Sequence, residues 1–329
     1  MTLWEQFISP ENFALALKRA VRGKKNKRAI AQFLENADEN LEQIRQLVID
    51  GKFRTSTYRT IEITDPKRRT IYILPFAPDR IVHHALMNIL GPIWEVSFIT
   101  DSYACINGRG LHSASRRCME FIRRNDYVLK CDIKKFYPSI SHNIMFDIVK
   151  KSITDEKILK ILHDIIYSGG DGKNLPIGNL CSQWLGNLYL HYMDVFIKQD
   201  LRVRDYIRYA DDFSLFHNDK KQLNIWRDKI HAFLIRDLKL SFSKSNISRV
   251  IDGVDFVRYR HFPKFILLRR RTCKKVIRRI QKINILKTIN EYEGGQIASA
   301  NGWFKFANTY NLQKLLKFDL LKTQIKNTA

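Results

Sequence analysis

The chain has 329 residues, of which 45% are hydrophobic and 12% aromatic, enough to bury a sizeable core or several subdomains and too apolar for a disordered chain. Its formal net charge is +24, from 57 Lys and Arg against 33 Asp and Glu, which exceeds the needs of solubility and implies a polyanionic partner. The basic residues are spread along the chain instead of forming one amphipathic anchor, so nucleic acid is favoured over a membrane surface, with binding that weakens steeply in salt. The five cysteines, Cys105, Cys118, Cys131, Cys181 and Cys273, show no CxxC spacing, and the nine histidines include no HExxH. Neither a disulfide framework nor a zinc site is indicated. The first residues lack the pattern of a signal peptide and no apolar run is long enough to span a bilayer, so the expected location is a reducing cytoplasm.

In chain order, Ser9-Pro10-Glu11 predicts a capped helix start and Gly23 its stop. The run Lys24-Lys25-Asn26-Lys27-Arg28 leads to a second helix, with Leu41, Ile44, Leu47 and Val48 at helical spacing, closing at Gly51. From Tyr58 to Ile73 the pattern shortens to alternating runs around Asp65-Pro66-Lys67-Arg68-Arg69, a hairpin with a basic turn. Such a turn is ordinarily a soluble edge; in a polymerase it would close on an incoming triphosphate, with Arg59, Lys67 and Arg69 as phosphate ligands. An apolar helix is predicted from Ile81 to Leu90, and Gly108-Arg109-Gly110 precedes another, where Arg109 and free N–H groups could grip a backbone phosphate.

Tyr127-Val128-Leu129-Lys130-Cys131 reads as a strand ending in Asp132, followed by a helix capped by Ser141 and running to about Lys151. A glycine-rich loop, 169–173, then leads through Ile177-Gly178-Asn179-Leu180-Cys181-Ser182-Gln183 to a long apolar helix toward Ile197. Tyr206 to Phe216 reads as strand, tight turn and strand, with Asp211 and Asp212 at the tip. A helix near Leu223 to Leu238 and a strand pair around 253–259 follow. Beyond Pro263 the basic groups Arg269-Arg270-Arg271, Lys274-Lys275 and Arg278-Arg279 accompany Val276, Ile277, Ile280, Ile283 and Ile289 at helical spacing. Such a helix is ordinarily a solvated face; here it would lie along a duplex and contact phosphates without reading bases. Gly294-Gly295 is read as a hinge or linker, and Asn301 to Tyr310 as the start of a last helical piece.

An Asp-Asp pair at a turn can simply be solvated. The third acid changes this: if the Asp132 strand lies beside the hairpin, Asp132, Asp211 and Asp212 make an oxygen-rich site for two Mg²⁺, with Mn²⁺ able to substitute and Ile133 joining the metal set. One ion would lower the pKa of an attacking 3′-hydroxyl and the other would bind the triphosphate. Tyr137, beside Phe136 and five residues after Asp132, is placed to stack under the incoming sugar and exclude a 2′-hydroxyl, its alternative being a core aromatic. Ile177 offers no amide to a nascent base pair, so selection there would lean on shape. Gly178 and Gln183 are the further candidates for nucleotide contact.

The residues resemble the reverse transcriptases of retrons, group II introns and their relatives. Tyr209-Ala210-Asp211-Asp212 is similar to their YxDD box and Asp132 with Phe136-Tyr137 to their first acidic motif. Asp79-Arg80-Ile81-Val82, Gly178 with Ser182, and Gly253-Val254-Asp255-Phe256 match in the expected order. Within the family, Ile177 to Gln183 resembles the IGxxxSQ box of diversity-generating retroelements, as do Ser102-Tyr103-Ala104-Cys105 and the Trp303 to Tyr310 stretch. The resemblance implies an α+β right-hand polymerase fold. Residues 1–57 would be an N-terminal helical extension, 58–125 the first part of the fingers and 126–148 the first part of an antiparallel palm. Residues 149–176 would connect fingers and palm, 177–262 complete the palm, and 263–329 form a basic helical thumb and C-terminal tail. It further implies cDNA synthesis on a template RNA with dNTPs and an RNA/DNA primer–template duplex, errors at template adenines, and a small basic accessory protein. Two residues depart from the pattern: Arg258 stands where Gly is usual, and Lys244 is offset from the usual lysine. Alternatives are an antiphage defence reverse transcriptase copying a noncoding RNA, and a catalytically inactive RNA-binding protein.

Overall fold

Local chemistry starts one of the chain's helices where the sequence suggests. Ser9 accepts from Asn12 N at 3.2 Å and Pro10 occupies the first turn of the helix Pro10–Ala20. The computed structural model describes residues 1–64, 68–286 and 289–321. The strands among these residues are β1 (Arg59–Ile63), β2 (Arg69–Ile73), β3 (Tyr127–Ile133), β4 (Tyr206–Tyr209), β5 (Asp212–His217), β6 (Phe242–Arg249), β7 (Val254–Phe256), β8 (Tyr259–His261) and β9 (Ile266–Leu268). Helices fill most of the rest, so the described residues form a mixed helix-and-sheet fold. None of their helices is long and apolar enough to cross a membrane.

The chain divides into two units. The first holds 1–100, 132–202 and 228–244. Its helices Pro10–Ala20 and Ile81–Ser97 are joined by the buried amide of Asn12, whose Nδ2 donates to Phe7 O at 2.8 Å and Ala85 O at 3.1 Å. Phe13, Leu86, Leu90, Leu162 and Leu185 are fully buried in this unit. The Ile81–Ser97 helix outruns the expected end at Leu90 and carries Pro92 within it. Ser141 stands at the N-cap of His142–Lys150, but its side chain makes no capping bond. The unit also contains Glu156–Tyr167, a helix the sequence reading omits. Asp155 caps it by accepting from Lys157 N and Ile158 N. The hairpin β1–β2 is antiparallel in the register Arg59↔Ile73 to Ile63↔Arg69; Lys67 and the Asp65-Pro66 turn lie outside the described residues.

The second unit holds 101–131, 203–227 and 245–329. It contains most of a four-stranded sheet ordered β4-β5-β3-β6 and a three-stranded antiparallel sheet β7-β8-β9. Phe121, Phe216, Phe256, Tyr259, Ile280 and Phe304 belong to one apolar cluster here. The β7–β8 connection is Val257-Arg258, with φ of 41° and 71°, a two-residue turn with the left-handed backbone at both positions that ordinarily selects Asn-Gly or Gly. Arg258 thus stands at a position built for glycine.

Two expectations at the C-terminal end need correction. Gly294 and Gly295 are no hinge: they lie inside the helix Glu291–Phe306, which starts at a capping box between Asn290 and Glu293. That box and the buried Ile297, Ala300 and Phe304 hold the helix together despite the glycine pair. Nor does a helix start at Asn301, because Asn301 to Phe306 finish that same helix and Tyr310–Leu315 forms a separate one.

Candidate active site

Alternation along β3, whose last two residues belong to the first unit, buries Leu129, Cys131 and Ile133 and leaves Asp132 half-exposed. Asp132 Oδ2 accepts from Ser243 Oγ at 2.6 Å, and Lys134 N donates to Ser241 O at 2.9 Å, pinning the strand's end. Lys135 turns the chain with φ of 43° into the short helix Phe136–Ser139. Phe136 is buried and Tyr137 half-exposed, their rings 5.0 Å apart. Space for both comes from Gly186, where a Cβ would sit 3.2 Å from Tyr137 Cε1 and 3.3 Å from Phe136 Cε1.

On the same unit Arg59 stands at the open end of the β1–β2 hairpin and Arg69 four pairs nearer its turn, both exposed. Tyr72 N donates to Ile177 O at 2.8 Å, so the Ile177-Gly178 backbone docks directly on β2. Gly178 makes that docking possible: its φ is +122°, and a Cβ would lie 2.5 Å from Tyr72 O. Tyr72 Oη accepts from Asn174 Nδ2 at 3.2 Å, and its ring meets that of Tyr58 edge-on at 5.5 Å. Tyr58 in turn holds Asn179 Nδ2 at 3.0 Å, and burial pushes its hydroxyl up to about 12. Ile177 is half-buried and Gln183 exposed.

In the second unit Tyr209 pairs with Asp212, leaving Ala210-Asp211 as a two-residue turn in which Ala210 has φ of 55°. Arg208, fully buried, donates from Nη1 to Ala210 O at 3.2 Å and braces the turn from behind. Its backbone forms a parallel bridge with Ser102, with Tyr103 N donating to Arg208 O at 3.1 Å, so the Ser102 to Cys105 segment supports the same hairpin. Asp211 and Asp212 are both half-buried. Asp212 Oδ2 meets Lys130 Nζ at 3.1 Å, and Lys130 also donates to Asp255 O. Sequence reasoning overlooked Lys130, Ser243 and Tyr72. Lys130 was discoverable, since a residue two before Asp132 on a strand shares its face.

The basic helix Arg270–Asn284 buries Val276, Ile280 and Ile283 and exposes Arg270, Arg271, Lys274, Lys275 and Arg278. Arg269 precedes it with Nε 3.7 Å from Asp255 Oδ1. Arg109 is half-buried and donates from Nη1 to Ser102 O at 2.9 Å, so part of its guanidinium serves the fold. Among the described residues, no group of three or more His, Cys, Asp and Glu side chains is assembled to hold a metal ion. The donors offered by Asp132, Asp211, Asp212 and the Ile133 carbonyl are nonetheless all hard oxygens, the chemistry that suits Mg²⁺.

Comparison with known proteins agrees with this chemistry. Residues 64–281 match the family described as reverse transcriptase (RNA-dependent DNA polymerase), the enzyme class expected from the acidic motifs. The chain is similar to Protein YkfC of Escherichia coli, 24% identical with 79% of this chain and 78% of that protein covered. It is also similar to the group II intron-encoded protein LtrA of Lactococcus lactis, at 22% identity over 57% of this chain and 34% of LtrA. An uncharacterized 91 kDa protein in the cob intron of Schizosaccharomyces pombe is 26% identical over 51% of this chain and 20% of its own length. The chain thus spans about a third or less of these two intron proteins. The match over well over half of its length establishes that the chain belongs to the reverse transcriptase (RNA-dependent DNA polymerase) family.

Proposed function

We propose that the protein copies a template RNA into cDNA, with Asp132, Asp211 and Asp212 as its catalytic carboxylates. The observation that carries the reading is the two-residue turn that holds Asp211 and Asp212 side by side, braced by Arg208 and ion-paired through Lys130, in a chain of this family. Mg²⁺ held by these carboxylates and the Ile133 carbonyl would acidify the primer 3′-hydroxyl and neutralise charge on the triphosphate. Arg59, Lys67 and Arg69 bind the triphosphate, while Phe136 and Tyr137 floor the sugar. Ile177, Gly178 and Gln183 line the nascent pair, with Gly178 letting the backbone approach β2. The basic face of Arg270 to Arg278, together with Arg109 and Arg269, follows the phosphates of the template–primer duplex. In hand terms, the β1–β2 hairpin is a finger, the four-stranded sheet the palm and the basic helix the thumb.

Within this family we assign the chain to a diversity-generating retroelement, with errors at template adenines and a small basic accessory protein as partner. The Ile177 to Gln183 box supports that reading, because Ile177 brings no side-chain hydrogen bond to the pair it would contact. Primer extension on a defined RNA with Mg²⁺ should give product for the parent and fall by at least about a hundredfold for Asp211→Ala and Asp132→Ala. No extension by the parent would leave only an RNA-binding role, and full extension by the variants would overturn the assignment of these carboxylates. Sequencing the copurifying RNA and cDNA then separates the subtypes: a protein-coding variable repeat supports the retroelement, and a noncoding template supports the defence enzyme.

A further inference from the structure

A cavity of about 240 Å³ in the first unit is lined by Lys24, Arg80, His83, His84, Asn179 and Gln183, with Gly178 and Leu180 completing it. Among the described residues, its lining carries two strong cations and no acidic side chain. Arg19 and Lys27 add positive potential: Arg19, with Lys24 and Arg80, acts on His84, and Lys27 acts on Lys24. The nearest acid in sequence, Asp79, lies outside the lining, fully buried, with Oδ1 accepting from Ser56 N at 2.9 Å.

Two independent observations give this positive hollow the character of a built site. The helix Leu180–Val195 begins at the cavity, and its N-cap Asn179 makes no side-chain capping bond, its Nδ2 donating instead to Tyr58 Oη. The first-turn N–H groups and the positive end of the helix dipole therefore remain uncompensated by any cap. Second, His83 is 2% exposed and, among the described residues, its Nε2 has no hydrogen-bond partner; leaving such a buried polar atom unpaired costs about 1–3 kcal/mol. The volume lies just below the roughly 300–1,000 Å³ of drug-sized sites, so the room suits one phosphoryl group with its adjoining sugar.

We propose that this cavity binds a phosphoryl group, held by Lys24, Arg80, His83 and the Leu180 helix end. Either a phosphodiester of a bound RNA or a free phosphate could supply that chemistry. The site uses none of the three carboxylates and shares only Gly178 and Gln183 with the nucleotide contacts proposed above, so it stands or falls apart from the polymerase reading.

The test uses the full chain without Mg²⁺ or dNTPs, so that polymerisation does not enter. A short fluorescein-labelled single-stranded RNA is titrated over a range of salt, and the thermal midpoint is compared in phosphate and in chloride at equal ionic strength. If RNA fills the site, Lys24→Gln weakens RNA binding about fivefold and makes the log–log salt slope shallower by about one. Lys24→Arg restores both, and Lys25→Gln, which alters an exposed neighbour, has the smaller effect. If free phosphate fills it, RNA binding matches that control, but the rise in midpoint produced by phosphate disappears in Lys24→Gln. Should Lys24→Gln lower the midpoint in chloride, Arg80→Gln, which removes the cavity's other strong cation, supplies the same readouts. A variant indistinguishable from Lys25→Gln in both measurements overturns the proposal.

Discussion

Tyr137 and Lys130 illustrate what single side chains contribute. Tyr137 is half-exposed over the notch left by Gly186, so its ring is packed in part and open in part. Replacing it by Ala should open the sugar floor and raise ribonucleotide incorporation by about tenfold or more, at roughly 1–3 kcal/mol for lost contacts. Competing rNTPs against dNTPs in primer extension measures this, and unchanged discrimination would refute the assignment. Lys130 acts differently. Its pair with Asp212 is partly solvated, with side-chain exposures of 28% and 30%, so the attraction contributes about 1 kcal/mol or less to folding. Its effect is positional, since it ties one carboxylate to the Asp255 backbone.

Among the elements, the hairpin carrying Asp211 and Asp212 was the most legible. Aromatic and β-branched runs flank it, and the strands Tyr206–Tyr209 and Asp212–His217 fall where those runs lie. The Ser9-Pro10 helix start was equally plain. The helix Glu156–Tyr167 had a readable signal in Ile158, Ile161, Leu162 and Ile165 behind an Asp cap. Strand β6 had little, because Phe242–Arg249 is mostly polar and exposed and is a strand only through its sheet neighbour. The glycine pair misled for a related reason: propensity reports local cost, whereas the buried face of Glu291–Phe306 decides the outcome. The β7–β8 turn gives a prediction at this scale. With Val257 and Arg258 both at positive φ, Arg258→Gly should stabilise the protein by about 1 kcal/mol. A urea midpoint that stays put or falls would show that the arginine side chain repays its backbone strain.

For the whole molecule, buried histidines set the response to acid. Burial, then His84 and Arg80, pull His83 down to about 3. Burial outweighs the Val254 carbonyl in bringing His261 down to about 4, while Ser115 Oγ stands 2.6 Å from its Nε2. Both folded values lie below the unfolded value of 6.5, so the unfolded chain takes up protons first. The stabilisation is complete above that value and is lost as pH falls toward the folded values, by about 1.4 kcal/mol per unit for each imidazole. Urea unfolding at pH 7 and pH 5 should show the midpoint dropping well before ordinary carboxylates titrate; equal midpoints would place these rings in contact with solvent.

The bond from Tyr72 N to Ile177 O, closed over a glycine that tolerates no side chain, has an evolutionary corollary. A lineage can change residue 177 without losing this bond, because it uses only main-chain atoms, whereas position 178 is locked. Where residue 177 sets copying accuracy as we propose, drift in fidelity is open to this scaffold at one residue while its neighbour stays frozen, and a laboratory library meant to retune it should randomise the first and spare the second.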